Sequence, residues 1–215
     1  MKVGTDGVLL GAWVSLDGSE EHILDVGTGS GVIALMLAQR SENSVIVGID
    51  IDEPSVADAS ANFSKSPWAG RMAAFHADFR DMQKFPYELI VSNPPYFINS
   101  LKAPSARRSE ARHTDTLPYA SLARAAAANT SREGRLAVVL PSAEAEIFMK
   151  EARKAGFFLR RICRVRTTPA QPFKRSLMEF SKKQGELLEE QLTIQNTCDF
   201  TAEYKSLTKD FYLKF

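Results

Sequence analysis

The run 87-YELIVSNPPYF-97 begins as an apolar strand and ends in residues that a strand cannot use. Pro94 and Pro95 each lack an N–H and fix φ at about −65°, so a hydrogen-bonded ladder must stop before them. The residues at the stop can do chemistry. The Asn93 side-chain oxygen can accept one hydrogen bond, and the Pro94 carbonyl can accept a second from a position that Pro95 keeps stiff. Two acceptors aimed at one amino group orient it and favour lone-pair character on its nitrogen. Bonds that strengthen as that nitrogen becomes tetrahedral act on the transition state rather than on the ground state. Tyr96 adds a ring on which a planar group can stack. A plain turn after a strand is the competing reading, because Asn and Pro favour turns.

A second group of residues lies upstream, in 25-DVGTGSG-31. Glycines at 27, 29 and 31 let a backbone turn sharply and approach a ligand. A dinucleotide fingerprint, G-x-G-x-x-G, would place its third glycine at position 32, which is Val32. The observed G-x-G-x-G is the form associated with S-adenosylmethionine (SAM) enzymes, which makes Asp25, Gly27, Thr28, Gly29 and Gly31 candidate cofactor residues. The next strand ends in 47-VGIDID-52, placing Asp50 about 20 residues beyond the glycines, where an acid can accept both ribose hydroxyls of an adenosyl ligand. Ile51 sits beside it. Asp52 reads equally well as an acid at the start of a helix. In 76-HADFRDM-82, Asp78 can accept an adenine amino group while Phe79 lines the ring, with a helix cap as the alternative for Asp78. Asn93 falls at the same sheet edge and so also counts among the cofactor neighbours.

These residues need a scaffold that brings strand ends together. Apolar periodicity predicts strands over 22–27, 44–50, 72–76, 87–92 and 136–140, and helices over 31–40, 53–65, 117–129 and 143–155. Such alternation argues for a parallel sheet covered on both faces. After Gly156 the pattern changes to two consecutive strands, 157–168 and 176–182, joined by a Pro-containing connection and expected to close the sheet as an antiparallel hairpin. An aromatic-rich tail over 201–215 is expected to pack back. Residues 98–116 are the longest stretch without periodicity and a candidate binding segment.

Composition bounds the class. The 215 residues are 44% hydrophobic and 25% charged, the balance of a soluble globular chain of about one domain. No apolar run approaches the ~20 residues of a membrane helix. Cys163 and Cys198 have no metal spacing and read as reduced core thiols of a cytoplasmic protein. His22, His76 and His113 are scattered, so no metal is expected. Charge is unevenly placed: residues 1–100 hold 6 lysines and arginines against 13 acids, whereas residues 101–178 hold 16 against 6. A basic middle on a nearly neutral chain suggests a face that meets a polyanion.

Taken together, Asp25 to Gly31, Asp50, Asp78 and Asn93 to Tyr96 resemble the class I SAM-dependent methyltransferases that act on amino nitrogens, whose specific motif is (N/D)PP(Y/F). Within that group the chain is similar to the bacterial tRNA1(Val) adenine-37 N6-methyltransferases, through 1-MKVGTDGVLLGAW-13, 93-NPPYF-97, 112-RHTDTL-117, 175-RSLMEF-180 and 208-TKDFYLKF-215. The resemblance implies a Rossmann-like α/β fold with a seven-stranded, mostly parallel sheet, an antiparallel last strand and helices on both faces. It implies a single domain over 1–215, SAM as methyl donor, an adenine in the tRNA anticodon loop as acceptor, and a monomer. Residues 1–18 would form an N-terminal lid. Relatives carry further residues ahead of the segment matching 1–13, so the N-terminus is expected to be shortened. The same motif also fits methylation of a glutamine amide in a translation release factor, and a non-catalytic SAM- or RNA-binding module is the reading from another class.

Lys102, Arg107, Arg108 and Arg112 follow the Asn-Pro-Pro-Tyr turn, and Arg160, Arg164, Lys174 and Arg175 come from the final hairpin; these are the candidate RNA-binding residues. Strand alternation places Arg160, Arg164 and Arg166 on one exposed face, and Phe173 is a candidate to stack on a base. No general base stands out. Asp6 and His113 could take part, while Thr5-Asp6-Gly7 also reads as the cap of a first helix. Replacing Arg107 and Arg108 together with alanine is expected to weaken RNA binding and to flatten its salt dependence. A filter-binding titration with unchanged affinity and salt slope would remove these two residues from the interface.

Overall fold

Residues on successive strands alternate between two apolar layers, and that alternation defines the molecule. The computed structural model describes residues 4–96 and 117–213. Strands β1 (His22–Val26), β2 (Val45–Asp50), β3 (Met72–His76), β4 (Tyr87–Ser92), β5 (Thr130–Pro141), β6 (Phe158–Arg166), β7 (Arg175–Ser181) and β8 (Leu188–Thr193) form one sheet. Their order is β3-β2-β1-β4-β5-β7-β6-β8. Only β7 runs against the others, pairing antiparallel with β5 and β6.

Ile23, Leu89, Val91, Ala137 and Val139 point to one layer. There they meet α1 (Thr5–Trp13), α2 (Val32–Arg40), α3 (Glu53–Ser64) and a short α6 (Ala202–Thr208). Leu24, Ile90, Leu136, Val138 and Leu140 point to the other, against α4 (Tyr119–Asn129) and α5 (Ser142–Lys154). The central strands β1, β4 and β5 are therefore buried on both faces, as parallel sheets require, while the edge strand β3 is only partly covered.

The expected α/β fold with helices on both faces is present, and so is the reversed strand. The strand count differs: the sheet has eight strands where seven were expected. The additional strand, β8, has the sequence LEEQLT and lies mostly exposed on the sheet edge. It pairs parallel to β6, and it places Glu189 and Glu190 opposite Ile162 and Cys163. Charged residues suit an edge, where they discourage further strand pairing. β5 is also longer than its apolar core, because its polar start at Thr130–Arg135 pairs with β4 through a register shift. The tail packs back as expected: Tyr204 is buried among the residues of the first layer.

The N-terminal segment is part of the core. Gly7 through Trp13 are all buried. Arg40 donates to the Gly11 and Val14 carbonyls at 2.7 and 2.8 Å and so ties down the end of α1. Trp13 donates its indole N–H to Glu190 at 2.7 Å, and the Arg161 guanidinium lies 4.2 Å over the Trp13 ring. Thr5 and Asp6 lie inside the helix, and the cap position is Gly4, which makes no side-chain cap bond. Asp6 is therefore released from the capping role its sequence suggested.

Cys163 is a buried core thiol as expected, but Cys198 is exposed because it sits in the bend between β8 and α6, and neither forms a disulfide. Burial pushes the Cys163 thiol up to about 12, so it behaves as a small apolar core residue. Among the described residues no helix is long and apolar enough to cross a membrane.

Leu10, fully buried on α1, tests this account of the segment. Leu10→Ala is expected to cost about 2–5 kcal/mol. That corresponds to a drop in melting temperature on the order of 10 °C for a chain of this size. An unchanged melting curve would show α1 to be peripheral.

Candidate functional site

Register places three loops side by side at the carboxyl edge of the sheet. Val26, the last residue of β1, pairs with Ile49 of β2 on one side and with Ser92 of β4 on the other. The residues that follow, Gly27, Asp50 and Asn93, thus leave the sheet from adjacent strands. Ser92 reinforces the junction by donating its hydroxyl to the Val26 carbonyl at 2.8 Å. On the next strand, Asp50 pairs with His76, which brings Asp78 to the same edge. Open α/β sheets bind ligands in this location.

The glycine loop is held by its neighbours' backbones. The Gly27 and Thr28 N–H groups both donate to the Ile49 carbonyl, at 2.8 and 2.9 Å. Gly27, Gly29 and Gly31 have φ of 71°, 56° and 82°, a region that side chains rarely adopt. Gly27 and Gly31 serve different ends. A Cβ at Gly31 would stand 2.4 Å from the Phe63 ring, so that glycine lets α2 and α3 pack. A Cβ at Gly27 would meet nothing within 4 Å, so that residue faces open space that a ligand can fill.

Two carboxylates flank this space. Asp50 accepts from the Gly29 N–H at 2.9 Å and from the Asp52 N–H at 3.0 Å, one bond to each oxygen, which fixes the group while leaving lone pairs on both. Asp25 is fully buried at the end of β1. One of its oxygens accepts from the Thr28 hydroxyl at 2.8 Å and the Ala34 N–H at 3.3 Å, and the other, Oδ1, has no partner. Desolvation raises the Asp25 carboxyl to about 7, against the opposing effect of those two bonds, and the Asp50 charge adds to the rise.

Beside Asp50, Ile51 is 46% exposed, an apolar surface next to a fixed carboxylate. Asp52 caps α3, accepting from the Ser55 N–H at 3.0 Å and the Ser55 hydroxyl at 2.6 Å, as its helix-start reading anticipated. Asp78 is not a helix cap. Arg80 grips it, with Nε 2.9 Å from each carboxylate oxygen, and this pairing holds its carboxyl below the usual range. Phe79 is buried in the second core layer, so its ring is packing rather than open surface.

The clamp residues follow β4 directly. Pro94 is buried and Pro95 exposed, with Asn93 and Tyr96 between these extremes. Tyr96 packs its ring against the second core layer. Its hydroxyl donates to the Asp6 carboxylate and lies 3.2 Å from the Asn93 side-chain oxygen. Arg175, the first residue of β7, donates from Nε to the same Asp6 oxygen at 2.7 Å. Its guanidinium stands 5.2 Å from the Tyr96 ring centroid. Burial and the Asp6 carboxylate hold the Tyr96 phenol above its ordinary range. Burial works against the charge on Arg175, yet Asp6 and Tyr96 hold it firmly protonated. The pairing of Asp6 with Tyr96 was not legible in the sequence, because nothing in a helix pattern reports which side chain lies 90 residues away.

The basic residues separate into groups. Lys174 and Arg175 lie at the carboxyl edge, beside the clamp, through the pairing of Arg175 with Pro141. Arg160 lies toward the opposite edge and turns to the Glu186 and Lys183 carbonyls, at 3.2 and 3.4 Å. Arg164 pairs with Glu189, and Arg161 with Glu190 at 2.9 Å. The β8 acids thus neutralise much of the hairpin's charge. Phe173 lies under Arg166, 5.2 Å from its guanidinium. Lys102, Arg107, Arg108, Arg112 and His113 lie outside the described residues. No cluster of three or more metal-ligating side chains occurs among the described residues.

These features fit an adenosyl cofactor: open space at Gly27, a pinned carboxylate beside exposed Ile51, and an orphaned buried oxygen on Asp25. The comparisons with known proteins agree in kind. Residues 7–145 match the methyltransferase small domain family. A tRNA1(Val) (adenine(37)-N6)-methyltransferase of Trichodesmium erythraeum is 45% identical, the match covering 100% of this chain and 92% of that protein. The protein of the same name from Klebsiella pneumoniae is 42% identical, over 99% of this chain and 89% of its own. Among solved structures, a predicted O-methyltransferase from Agrobacterium tumefaciens superposes with a TM-score of 0.74 at 18% identity, covering 95% of this chain and 96% of that one.

The raised Asp25 carboxyl gives a pH test with a definite sign. The folded protein holds this proton more tightly than the unfolded chain, so the stability this group contributes is fully present below pH 3.8 and is lost as pH rises through about 7. Between pH 5 and 8 the ligand-free protein is expected to lose at most about 3 kcal/mol through this group. Asp25→Asn removes the charge, so the stability of the variant relative to the unmodified protein is expected to rise across that interval in denaturant titrations. A difference that stays constant with pH would contradict the assignment.

Proposed function

Because the chain belongs to the methyltransferase small domain family and, within it, to the tRNA1(Val) (adenine(37)-N6)-methyltransferases, we propose that it methylates the exocyclic nitrogen of adenine 37 in the anticodon loop of tRNA1(Val). The observation that carries this reading is the departure of the Gly27 loop and the Asn93-Pro94-Pro95-Tyr96 clamp from neighbouring strand ends. Asp25, Gly27, Thr28, Gly29, Asp50 and Ile51 would hold SAM, with Asp78 and Phe79 bounding its adenine end and Gly31 supporting the loop by packing. When bound, SAM supplies a methyl group activated by its sulfonium.

The remaining work falls to the chain's own residues. The Asn93 oxygen and the Pro94 carbonyl accept the two amino protons of the target, turning its lone pair toward the donor. Pro95 keeps the turn rigid. Tyr96 stacks on the target ring, a contact of roughly 1–3 kcal/mol per base. Alignment of such a pair contributes up to ~7–11 kcal/mol of the barrier in favourable cases. With the lone pair so directed the nitrogen would accept the methyl group in line, and the proton made acidic on it would leave to water. A loop base suits this pocket, since unstacking it costs less than extrusion from a duplex. Lys174 and Arg175 at the clamp, with Lys102, Arg107, Arg108 and Arg112, would meet the RNA backbone. Arg160 and Arg164, committed to carbonyls and to Glu189, would add less. We further infer a cytoplasmic monomer, a reading supported by two thiols that form no disulfide.

The test is methyl transfer from labelled SAM to tRNA lacking the modification, followed by nucleoside mass analysis. N6-methyladenosine is the expected product. Methylation of a release-factor glutamine with no transfer to tRNA would replace this reading with the amide one. Asn93→Ala is expected to lower turnover about a hundredfold or more while leaving SAM affinity nearly unchanged. Undiminished turnover in that variant would remove Asn93 from the mechanism.

A further inference from the structure

Asp6 enters the site from α1, a segment that neither the glycine loop nor the clamp motif includes. Its carboxylate receives the Tyr96 hydroxyl and the Arg175 Nε–H on one oxygen. Its side chain is 20% exposed and that of Arg175 is 33% exposed, so both are largely withdrawn from water. Helix α1 cannot readily shift to release this contact, because Gly7 through Trp13 are buried behind it.

The hydroxyl of Tyr96 has two acceptors within reach and one proton. The carboxylate of Asp6 is charged and the Asn93 amide oxygen, at 3.2 Å, is neutral. Charge-assisted bonds are about twice as strong as neutral ones, so the proton belongs to Asp6. The phenol oxygen then offers only lone pairs to Asn93. An amide oxygen facing those lone pairs is repelled, whereas the amide N–H₂, reached by a half-turn of the same group, donates to them. We infer that Asp6 is a positioning residue which, acting through Tyr96, sets the polarity of the Asn93 amide so that its N–H₂ end faces the phenol and its oxygen end faces the acceptor amino group.

The chain of donors then runs in one direction: target amino group to Asn93 oxygen, Asn93 nitrogen to Tyr96 oxygen, Tyr96 hydroxyl to Asp6. Removing the carboxylate reverses it. Tyr96 then donates to the Asn93 oxygen, and the amide presents its own N–H₂ to an amino group that has no lone pair to spare until it reacts. Arg175 does not substitute for Asp6, since a guanidinium only donates.

This inference rests on the proposed amino-group methylation, and the experiment separates the two. Turnover, KM for tRNA and SAM affinity are measured for the unmodified protein, Asp6→Ala, Asp6→Asn, Tyr96→Phe and the double variant Asp6→Ala/Tyr96→Phe, each checked for an intact melting transition. Asp6→Ala is expected to lower kcat about tenfold or more with SAM affinity within about twofold. Asp6→Asn, which keeps an acceptor for the phenol, is expected to recover part of that loss. With the hydroxyl absent, Asp6→Ala is expected to add nothing to Tyr96→Phe. Equal losses from Asp6→Ala in both backgrounds would overturn the inference and assign Asp6 to holding α1 or Arg175, while N6-methyladenosine formed by the unmodified protein would leave the proposed function standing. Absence of that product from the unmodified protein would overturn both.

Discussion

Two consecutive residues without an N–H set the end of the central strand. β4 runs between β1 and β5 and is paired on both sides through Ser92, and neither Pro94 nor Pro95 can extend those ladders. The chain must therefore leave the sheet at Asn93, next to the point where β1 gives way to Gly27. Glycines at one exit and prolines at the other have opposite effects on the backbone. Gly27 and Gly29 adopt conformations closed to other residues, and Pro94 and Pro95 permit few conformations at all. One exit bends sharply, and the other is held stiff.

Support for that edge comes from an unexpected quarter. The N-terminal helix is both core and site. Its apolar residues fill the first layer, its C-terminal end is tied by Arg40, and its first turn delivers Asp6 to the clamp. The opposite end of the sheet is fastened by ions instead. Glu20 pairs with Arg135, and Glu179, 4% exposed, accepts from the Ser15 N–H at 2.6 Å with Arg161 3.6 Å away. Breaking such a buried pair by removing one partner is costly, because the other charge remains. A packed helix thus connects a network at one edge to the chemistry at the other.

Much of this was legible in the amino-acid order, and the limits have physical causes. β1, β2 and β4 are apolar runs buried on both faces, so their periodicity marks them, and the residues just beyond them mark the edge. Asp52 caps α3 as its place at a helix start suggested, and Asp50 ends β2 at the carboxyl edge with its carboxylate bonded to the Gly29 N–H. β8 was not legible, because an edge strand reading LEEQLT alternates too weakly and owes its place to pairing with β6. A count of cations over 101–178 does not register that Arg164 meets an acid from later in the chain, Glu189 of β8, or that Arg160 turns to the Glu186 and Lys183 carbonyls. Phe79 and Asp78 were placed at the correct edge, but burial of the ring and the grip of Arg80 on the acid depend on packing that spacing does not encode.

The proposed methyl transfer requires the Asn93 side chain and the Pro94 carbonyl together to hold one amino nitrogen at the strand end beside the glycine loop. A crystal structure of the protein with S-adenosylhomocysteine and an anticodon stem-loop tests this directly. The expected result is the N6 nitrogen of a flipped adenine within hydrogen-bond distance of both the Asn93 oxygen and the Pro94 carbonyl, with the base stacked on Tyr96. An adenine bound with another atom at that position, or an Asn93 side chain turned away from the base, would contradict it.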